Sequence, residues 1–194
     1  MQRPFAHTLE SPAALARFFL TAAIGVAVDL WTKSLAASDL AGGKTVDFIH
    51  GWLRFEFIEN PGAVFGIAPG KRMVFLVVSV VAVLFLTYLF SSSSKRPFYQ
   101  IILGMLLAGV LGNMYDRIEF GQVRDMIHAL PDWHWPTGFL NAARHVVPKM
   151  PDQVFPYIFN VADTLLCTGV GLMLIYSFFN GPDEAVSKQS KTAD

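Results

Sequence analysis

A single cysteine, Cys167, in 194 residues excludes a disulfide framework within the chain and any metal cluster built from thiolates. It lies in an apolar stretch and reads as a small packing residue. Charge is scarce as well: Asp, Glu, Lys and Arg supply 15% of the sequence, and the formal net charge is +0. Soluble domains carry about a quarter charged residues. With neither sign in excess, no basic surface points to nucleic acid. The HExxH, GxSxG and Walker patterns are all missing. The histidines (His7, His50, His128, His134 and His145) form no helical ligand pair, and they read as loop or interface residues. Nothing in the pattern asks for a metal or another cofactor.

What the chain has is apolar length. Hydrophobic residues make up 53% of it, and the mean hydropathy is +0.43. A helix needs about 20 mostly apolar residues to cross the hydrocarbon of a bilayer. Four stretches qualify, near 14–37, 73–90, 98–115 and 158–179. The expected fold is therefore an all-α membrane protein, one domain over 1–194, with four transmembrane helices and a tail over 181–194 that is flexible and cytoplasmic. The first stretch ends in a cleavage-like Leu35-Ala36-Ala37-Ser38. Its core is too long for a signal peptide, and Asp29 and Lys33 interrupt it.

An even number of spans puts both termini on one side. The short loop Ser91-Ser92-Ser93-Ser94-Lys95-Arg96-Pro97 carries adjacent cations, which favours the cytoplasm. Arg3, Arg17, Lys188 and Lys191 then lie on that side too, although the opposite loops also hold Arg54, Lys71, Arg72, Arg117, Arg124, Arg144 and Lys149. In the first outer loop Leu53, Phe55 and Phe57 alternate with Arg54 and Glu56, the period of a half-buried strand. Asn60-Pro61-Gly62 turns the chain after it. This predicts a small β-rich extracytoplasmic element that lies on the bilayer or covers a site. In the second outer loop Trp133, Trp135 and Tyr157 suit the water–lipid boundary.

The few polar residues near the spans are the informative ones, because a charge at a helix centre in lipid costs roughly 2.5–3.5 kcal/mol. Asp29 and Lys33 stand four apart, acid first, and form either a structural ion pair or part of a site. Asn113, Asp116 and Arg117 share a face near the end of the third span, where Arg117 is expected to pair with Asp116 or another carboxylate. Gly121 offers a turn, and Asp125 follows it. Asp163 is flanked by Val161, Ala162, Leu165 and Leu166, with Asn160 three residues before it on the same expected helix face. At about 1.5 Å rise per residue, Asp116 lies roughly 27 Å along its span and Asp163 roughly 24 Å from the far end of its own. Asp125 and Asp163 can thus reach one depth, although either alone also reads as a solvated residue at a span end.

Two close carboxyl groups cannot both ionise cheaply, so one keeps a proton. The charged member can take a proton from water, and the neutral one can give a proton to a carbonyl oxygen. That is aspartic-protease chemistry without the Asp-Thr/Ser-Gly triplet of the soluble enzymes, since Asp163-Thr164 is followed by Leu165.

The motifs also carry a likeness. Asp29-Leu30-Trp31-Thr32-Lys33, Glu59-Asn60-Pro61-Gly62-Ala63-Val64-Phe65-Gly66, Gly112-Asn113-Met114-Tyr115-Asp116-Arg117, Val123-Arg124-Asp125-Met126-Ile127 and Phe159-Asn160-Val161-Ala162-Asp163 occur in that order. Together they resemble the motifs of the bacterial lipoprotein signal peptidases (signal peptidase II) over about 14–179. The resemblance implies an intramembrane aspartic endopeptidase that removes signal peptides from prolipoproteins, cutting before a cysteine that bears diacylglyceryl. It implies Asp125 and Asp163 as the catalytic dyad, with Asn60, Gly62, Asn113, Arg117 and Asn160 positioning substrate or dyad. Asp29, Lys33 and Asp116 would support the site. It further implies the bacterial inner membrane with both termini cytoplasmic, prolipoproteins and membrane lipids as partners, a monomer, and no metal. Val64, Gly66 and Met126 are mild departures from the pattern, where Ala, Ser and Phe are common. The stretch 137–157 is longer than the usual link. Without the resemblance, a small transporter or channel subunit with a charge path through Asp29, Lys33, Asp116 and Arg117 stays open, as does a metal-dependent membrane hydrolase.

Overall fold

A computed structural model describes residues 6–9, 11–62, 72–93 and 96–179. The expected tail over 181–194, the motif residues Ala63 to Gly66, and the cations Arg3, Lys71, Lys95, Lys188 and Lys191 lie outside the described residues. The chain runs α1 (Ala6–Leu9), α2 (Pro12–Asp39), β1 (Thr45–Ile49), β2 (Leu53–Asn60), α3 (Arg72–Ser91), α4 (Pro97–Glu119), β3 (Val123–Ala129), α5 (Thr137–Arg144), β4 (Ile158–Phe159) and α6 (Val161–Phe179).

Four of these helices, α2, α3, α4 and α6, are long and apolar enough to cross a membrane. Their bounds follow local chemistry. Ser11 caps α2 by accepting from the Ala14 amide at 3.3 Å, and Pro12 occupies the first turn, where its missing N–H costs nothing. Pro97 opens α4 in the same way. The fourth span starts later than the hydropathy suggests. Ile158–Phe159 is the short strand β4, Asn160 is the residue before the helix, and α6 begins at Val161. Apolar content alone cannot separate a buried strand from the first turn of a helix.

α4 is the central helix. Of its apolar window 56% is buried, against 11–22% in the other three spans. Lipid tails are as apolar as leucine, so spans associate through close backbone approach and polar contacts. Small residues provide that approach. A Cβ on Gly104 would lie 2.7 Å from the Phe18 carbonyl oxygen, and one on Gly109 would lie 2.6 Å from the Ala162 carbonyl oxygen. Phe18 and Phe90 stack at 4.2 Å near the other end of the bundle, where Arg17 Nε donates to the buried Gln100 Oε1 at 2.8 Å. Cys167 is exposed on α6 rather than packed inside. In a span whose outer face meets lipid, an apolar thiol gains nothing by pointing inward.

The chain passes from α2 to β1, from α4 to β3 and from β4 to α6, so the four strands gather at one end of the bundle. They form an antiparallel sheet in the order β1-β2-β3-β4. β2 is the strand that the alternation predicts, and it is an inner strand. β3 gives no alternation because Val123, Arg124, Asp125, Met126 and His128 are all buried, on both faces. Gly121, at φ +81°, makes the turn from α4 into β3. His128 sits in this strand and pairs through Nδ1 with Glu56 Oε1, so it is neither a loop nor an interface residue. The long stretch over 137–157 is a closed excursion. Its neck is zipped where Trp135 N–H donates to Asp152 O and Val154 N–H donates to Trp133 O, both at 2.9 Å. Trp133 and Tyr157 are exposed at this end, and the Trp133 and Trp52 rings meet edge to face at 4.8 Å.

The Gly109 contact gives a test of the α4–α6 packing. A methyl at Gly109 meets the Ala162 carbonyl and Leu166 Cγ, and the carbonyl cannot move without shifting the start of α6. Gly109→Ala is expected to lower stability by about 1–3 kcal/mol, read as a fall in thermal unfolding temperature in detergent, whereas Gly138→Ala, in open space, leaves it unchanged.

Candidate functional site

The polar residues singled out in the sequence converge where the sheet meets the bundle. Asp29, Lys33, Asp116, Asp125 and Asn160 are fully or almost fully buried, and Asn113, Arg117 and Asp163 nearly so. An ammonium away from water needs an acceptor for every proton. Lys33 Nζ finds three: Asp29 Oδ2 at 2.8 Å, Asp116 Oδ2 at 3.3 Å and Asn113 Oδ1 at 3.1 Å. Asp116 is also held by Arg124, through the backbone N–H at 3.0 Å and Nη2 at 2.7 Å. Two anions and two cations thus cancel within one cluster, which joins α2, α4 and β3.

The start of α6 is tied to the same cluster. Helix N-termini leave amides without partners and favour negative charge. Asn160 Oδ1 accepts from the Asp163 N–H at 2.9 Å, and Asp163 Oδ2 accepts from the Asn160 N–H at 3.2 Å. This is a reciprocal capping box. Asn160 therefore precedes the helix instead of sharing a helical face with Asp163. The Ala162 amide donates to Asp29 Oδ1 at 2.8 Å, so a carboxylate on α2 caps α6 from across the bundle. Gly112 makes room for it, since a Cβ there would fall 2.4 Å from Asp29 Oδ2.

Asp125 reaches this place from the sheet. β2 and β3 pair Phe55 with Ile127 but Ile58 with Asp125, so β2 carries one extra residue opposite Met126. A bulge of this kind re-aims the residues that follow it. Asn60 then lies diagonally across from Asp125 on the same face, and its Nδ2 donates to Asp125 Oδ2 at 2.9 Å. Asn160 Nδ2 donates to Asp125 Oδ1 at 2.6 Å. One asparagine thus holds both carboxyl groups, Asp125 by its side chain and Asp163 by its backbone. Asn113 completes the set: its Nδ2 donates to Asp163 Oδ1 at 2.8 Å, while its Oδ1 accepts from Lys33 and from Asn160. Burial, and then the charge of Asp163, push the Asp125 carboxyl up to about 7, against the lowering effect of its bonds from Asn60 and Asn160.

Gly62 and Arg117 close the rim. Asn60 Oδ1 accepts from the Gly62 N–H at 2.9 Å, and Arg117 Nη2 donates to the Gly62 carbonyl at 3.2 Å. Arg117 also donates to the Asn113 carbonyl, and its guanidinium covers the Phe75 ring at 5.0 Å. The expected pairing of Arg117 with a carboxylate is not found: among the described residues it makes no salt bridge, because Asp116 is already filled by Lys33 and Arg124. Sequence reasoning did not assign Arg124 to the site, although Asp116 and Arg124 bracket the Gly121 turn with opposite charges.

The profile of the Signal peptidase (SPase) II family matches residues 21–179. This chain belongs to the signal peptidase II family. The lipoprotein signal peptidase of Enterococcus faecalis is 33% identical over 90% of this chain and 93% of its own length. That of Chlorobium phaeobacteroides is 30% identical over 89% of this chain and 96% of its own. A bacterial membrane enzyme of known structure superposes with a TM-score of 0.67 at 28% identity, over 84% of this chain and 90% of that one. The chain is a peptidase by family, and the match covers every residue of the cluster described above.

The Lys33 cluster carries a stability test. Lys33→Met leaves the Asp29 and Asp116 carboxylates buried without their shared cation, and is expected to lose about 3–5 kcal/mol. Replacing Asp29 by leucine in the same chain removes one stranded charge. A cycle of thermal unfolding in detergent should therefore show the double variant losing less than the sum of the two single ones.

Proposed function

We propose that this protein is an intramembrane aspartic endopeptidase that removes signal peptides from diacylglyceryl-modified prolipoproteins, cutting before the lipid-bearing cysteine. The observation that carries the reading is the pair of buried carboxyls, Asp125 and Asp163, held by the one asparagine Asn160. The family assignment supplies the substrate class, since the relatives are named lipoprotein signal peptidases. On this reading the chain is one domain and one monomer in the bacterial inner membrane. Both termini are cytoplasmic, and the sheet lies at the outer face.

The two carboxyls divide the chemistry. Asp163 accepts two hydrogen bonds, from Asn113 and from the backbone at the start of α6, and serves as the ionised member. Asp125 keeps the shared proton. Asp163 takes a proton from water as the water oxygen bonds to the scissile carbonyl carbon, and Asp125 gives its proton to the carbonyl oxygen. In the second half Asp125 takes a proton back from a hydroxyl of the tetrahedral species. Asp163 gives its proton to the leaving nitrogen, the C–N bond breaks, and the dyad returns to its starting state. Asn60, Asn113 and Asn160 fix the carboxyl planes, while Gly62 and Arg117 shape the rim. Asp29, Lys33 and Asp116 hold the floor. Lipid supports the substrate, because each acyl CH2 buried in the bilayer contributes about 0.8 kcal/mol.

Asp125→Asn and Asp163→Asn are each expected to lower cleavage of a lipid-modified prolipoprotein by about 10³-fold or more while the protein still inserts and folds. Retained turnover in either variant would remove the dyad. The pH profile gives a second check. The unfolded-state value for Asp125 is 3.8 and the folded one is about 7, so the folded protein holds the extra proton between them. The proton donor is lost as pH rises through about 7, and kcat/KM should fall along that limb. The same group contributes most to stability below 3.8 and progressively less as pH rises toward 7. A rate that keeps rising through this window would contradict Asp125 as the proton donor.

A further inference from the structure

The closed excursion over 137–157 builds a surface that the dyad chemistry does not use. A groove of about 490 Å3 runs between the end of β2 and the chain returning from the excursion. Glu59 and Asn60 line one wall, and Lys149, Pro151, Tyr157 and Ile158 line the other. Asn60 belongs to both places: it lines the groove, and its Nδ2 donates to Asp125. The groove therefore borders a side chain that touches one carboxyl of the candidate dyad. Its lining comes from β2, β4 and the segments beside them, and from none of the four spans.

The returning wall is braced. Arg144 donates to the Met150 carbonyl at 3.1 Å and pairs with Asp152, and the neck is zipped by the Trp133–Val154 and Trp135–Asp152 backbone bonds. Lys149 sits in this braced turn with its side chain exposed. A braced turn presents its cation at a fixed place.

The geometry points to a substrate subsite. The groove receives the polar peptide that follows the lipid-bearing cysteine, and Lys149 selects for an acidic residue in it. This rests on the peptidase reading above. The direction follows from topology. The signal-peptide side of the scissile bond is apolar and stays with the spans, so the segment that emerges beside Asn60 is the mature side. Glu59 and Lys149 face it from opposite walls. Lys149 is then a specificity residue, and the excursion tunes which prolipoproteins are cut fastest.

The test uses the full chain in lipid–detergent micelles and three lipid-modified prolipoprotein peptides. They differ only after the cysteine: one has an acidic tail, one a basic tail, and one ends just after the cysteine. The wild type should show a KM for the acidic tail about three- to fivefold below that for the basic tail, as for a single solvent-exposed ion pair. Lys149→Glu should reverse this order, and Lys149→Ala should abolish it, with kcat unchanged and the truncated peptide cleaved as before. Equal KM values for both tails in all three proteins would overturn the subsite. So would an equal loss on every substrate, including the truncated one, which would mark Lys149 as structural. A wild type that cleaves none of the three peptides would instead remove the peptidase reading, and the subsite with it.

Discussion

An ammonium with no access to water must have acceptors, and in this protein that requirement organises the end of the bundle that carries the sheet. Lys33 lies at 0% exposure with three oxygens around it, from two helices. Each of those oxygens belongs to a group that has a second task. Asp29 caps the Ala162 amide of α6, Asp116 anchors β3 through Arg124, and Asn113 turns its amide toward Asp163. Breaking a buried pair strands a charge, whereas replacing the whole cluster by apolar groups need not destabilise at all. What the ions contribute is therefore position. They fix the start of α6 against α2 and α4, and they fix β3 against α4, to within hydrogen-bond tolerance.

Much of this was legible in the sequence because membranes make polar residues conspicuous. The four spans stood out by length and hydropathy, and the residues that interrupt or border them (Asp29, Lys33, Asn113, Asp116 and Asp163) are those that the structure brings together. The i, i+4 spacing of Asp29 and Lys33 gave their pairing directly. Less legible was anything decided by long-range register. β3 is buried on both faces and so has no period to read, and its place between β2 and β4 depends on contacts far apart in sequence. The partner of Arg117 was misassigned for a related reason. Neighbouring Asp116 looked available, but Lys33 from another helix and Arg124 from beyond the turn had already taken its oxygens. Asn160 was placed on a helix face because its side chain is compatible with one, whereas its capping bond to Asp163 ends the strand and begins the helix.

The sheet has a role that a bundle alone could not fill. Spans cross lipid because a helix satisfies its own backbone, and for that reason a helix offers few free donors away from its ends. The two carboxyls are met by donors from the two kinds of place where such groups are available. Asp163 lies at a helix start, where backbone amides are free. Asp125 lies on a strand beside a bulge, where Asn60 and Asn160 approach from either side. The bulge sets the direction of Asn60 relative to Asp125, and without the extra residue on β2 the alternation would turn Asn60 to the other face of the sheet.

This arrangement also gives the two carboxyls different supports without any difference in residue type. Both are buried aspartates, so burial alone would treat them alike. Their supports differ in kind. Asp163 sits in a helix N-terminus, whose dipole and amides favour negative charge, and is linked through Asn113 to the Lys33 ammonium. Asp125 has two neutral side-chain amides and no helix end, and burial together with the neighbouring charge pushes it up to about 7. Under the proposed mechanism, a pair that shares one proton needs such an asymmetry if the proton is to start on a defined oxygen. The asymmetry here derives from where α6 begins, and that start is fixed by Asp29 and Asn160. The capping of one transmembrane helix is thus the structural origin of the difference in how the two acids are held.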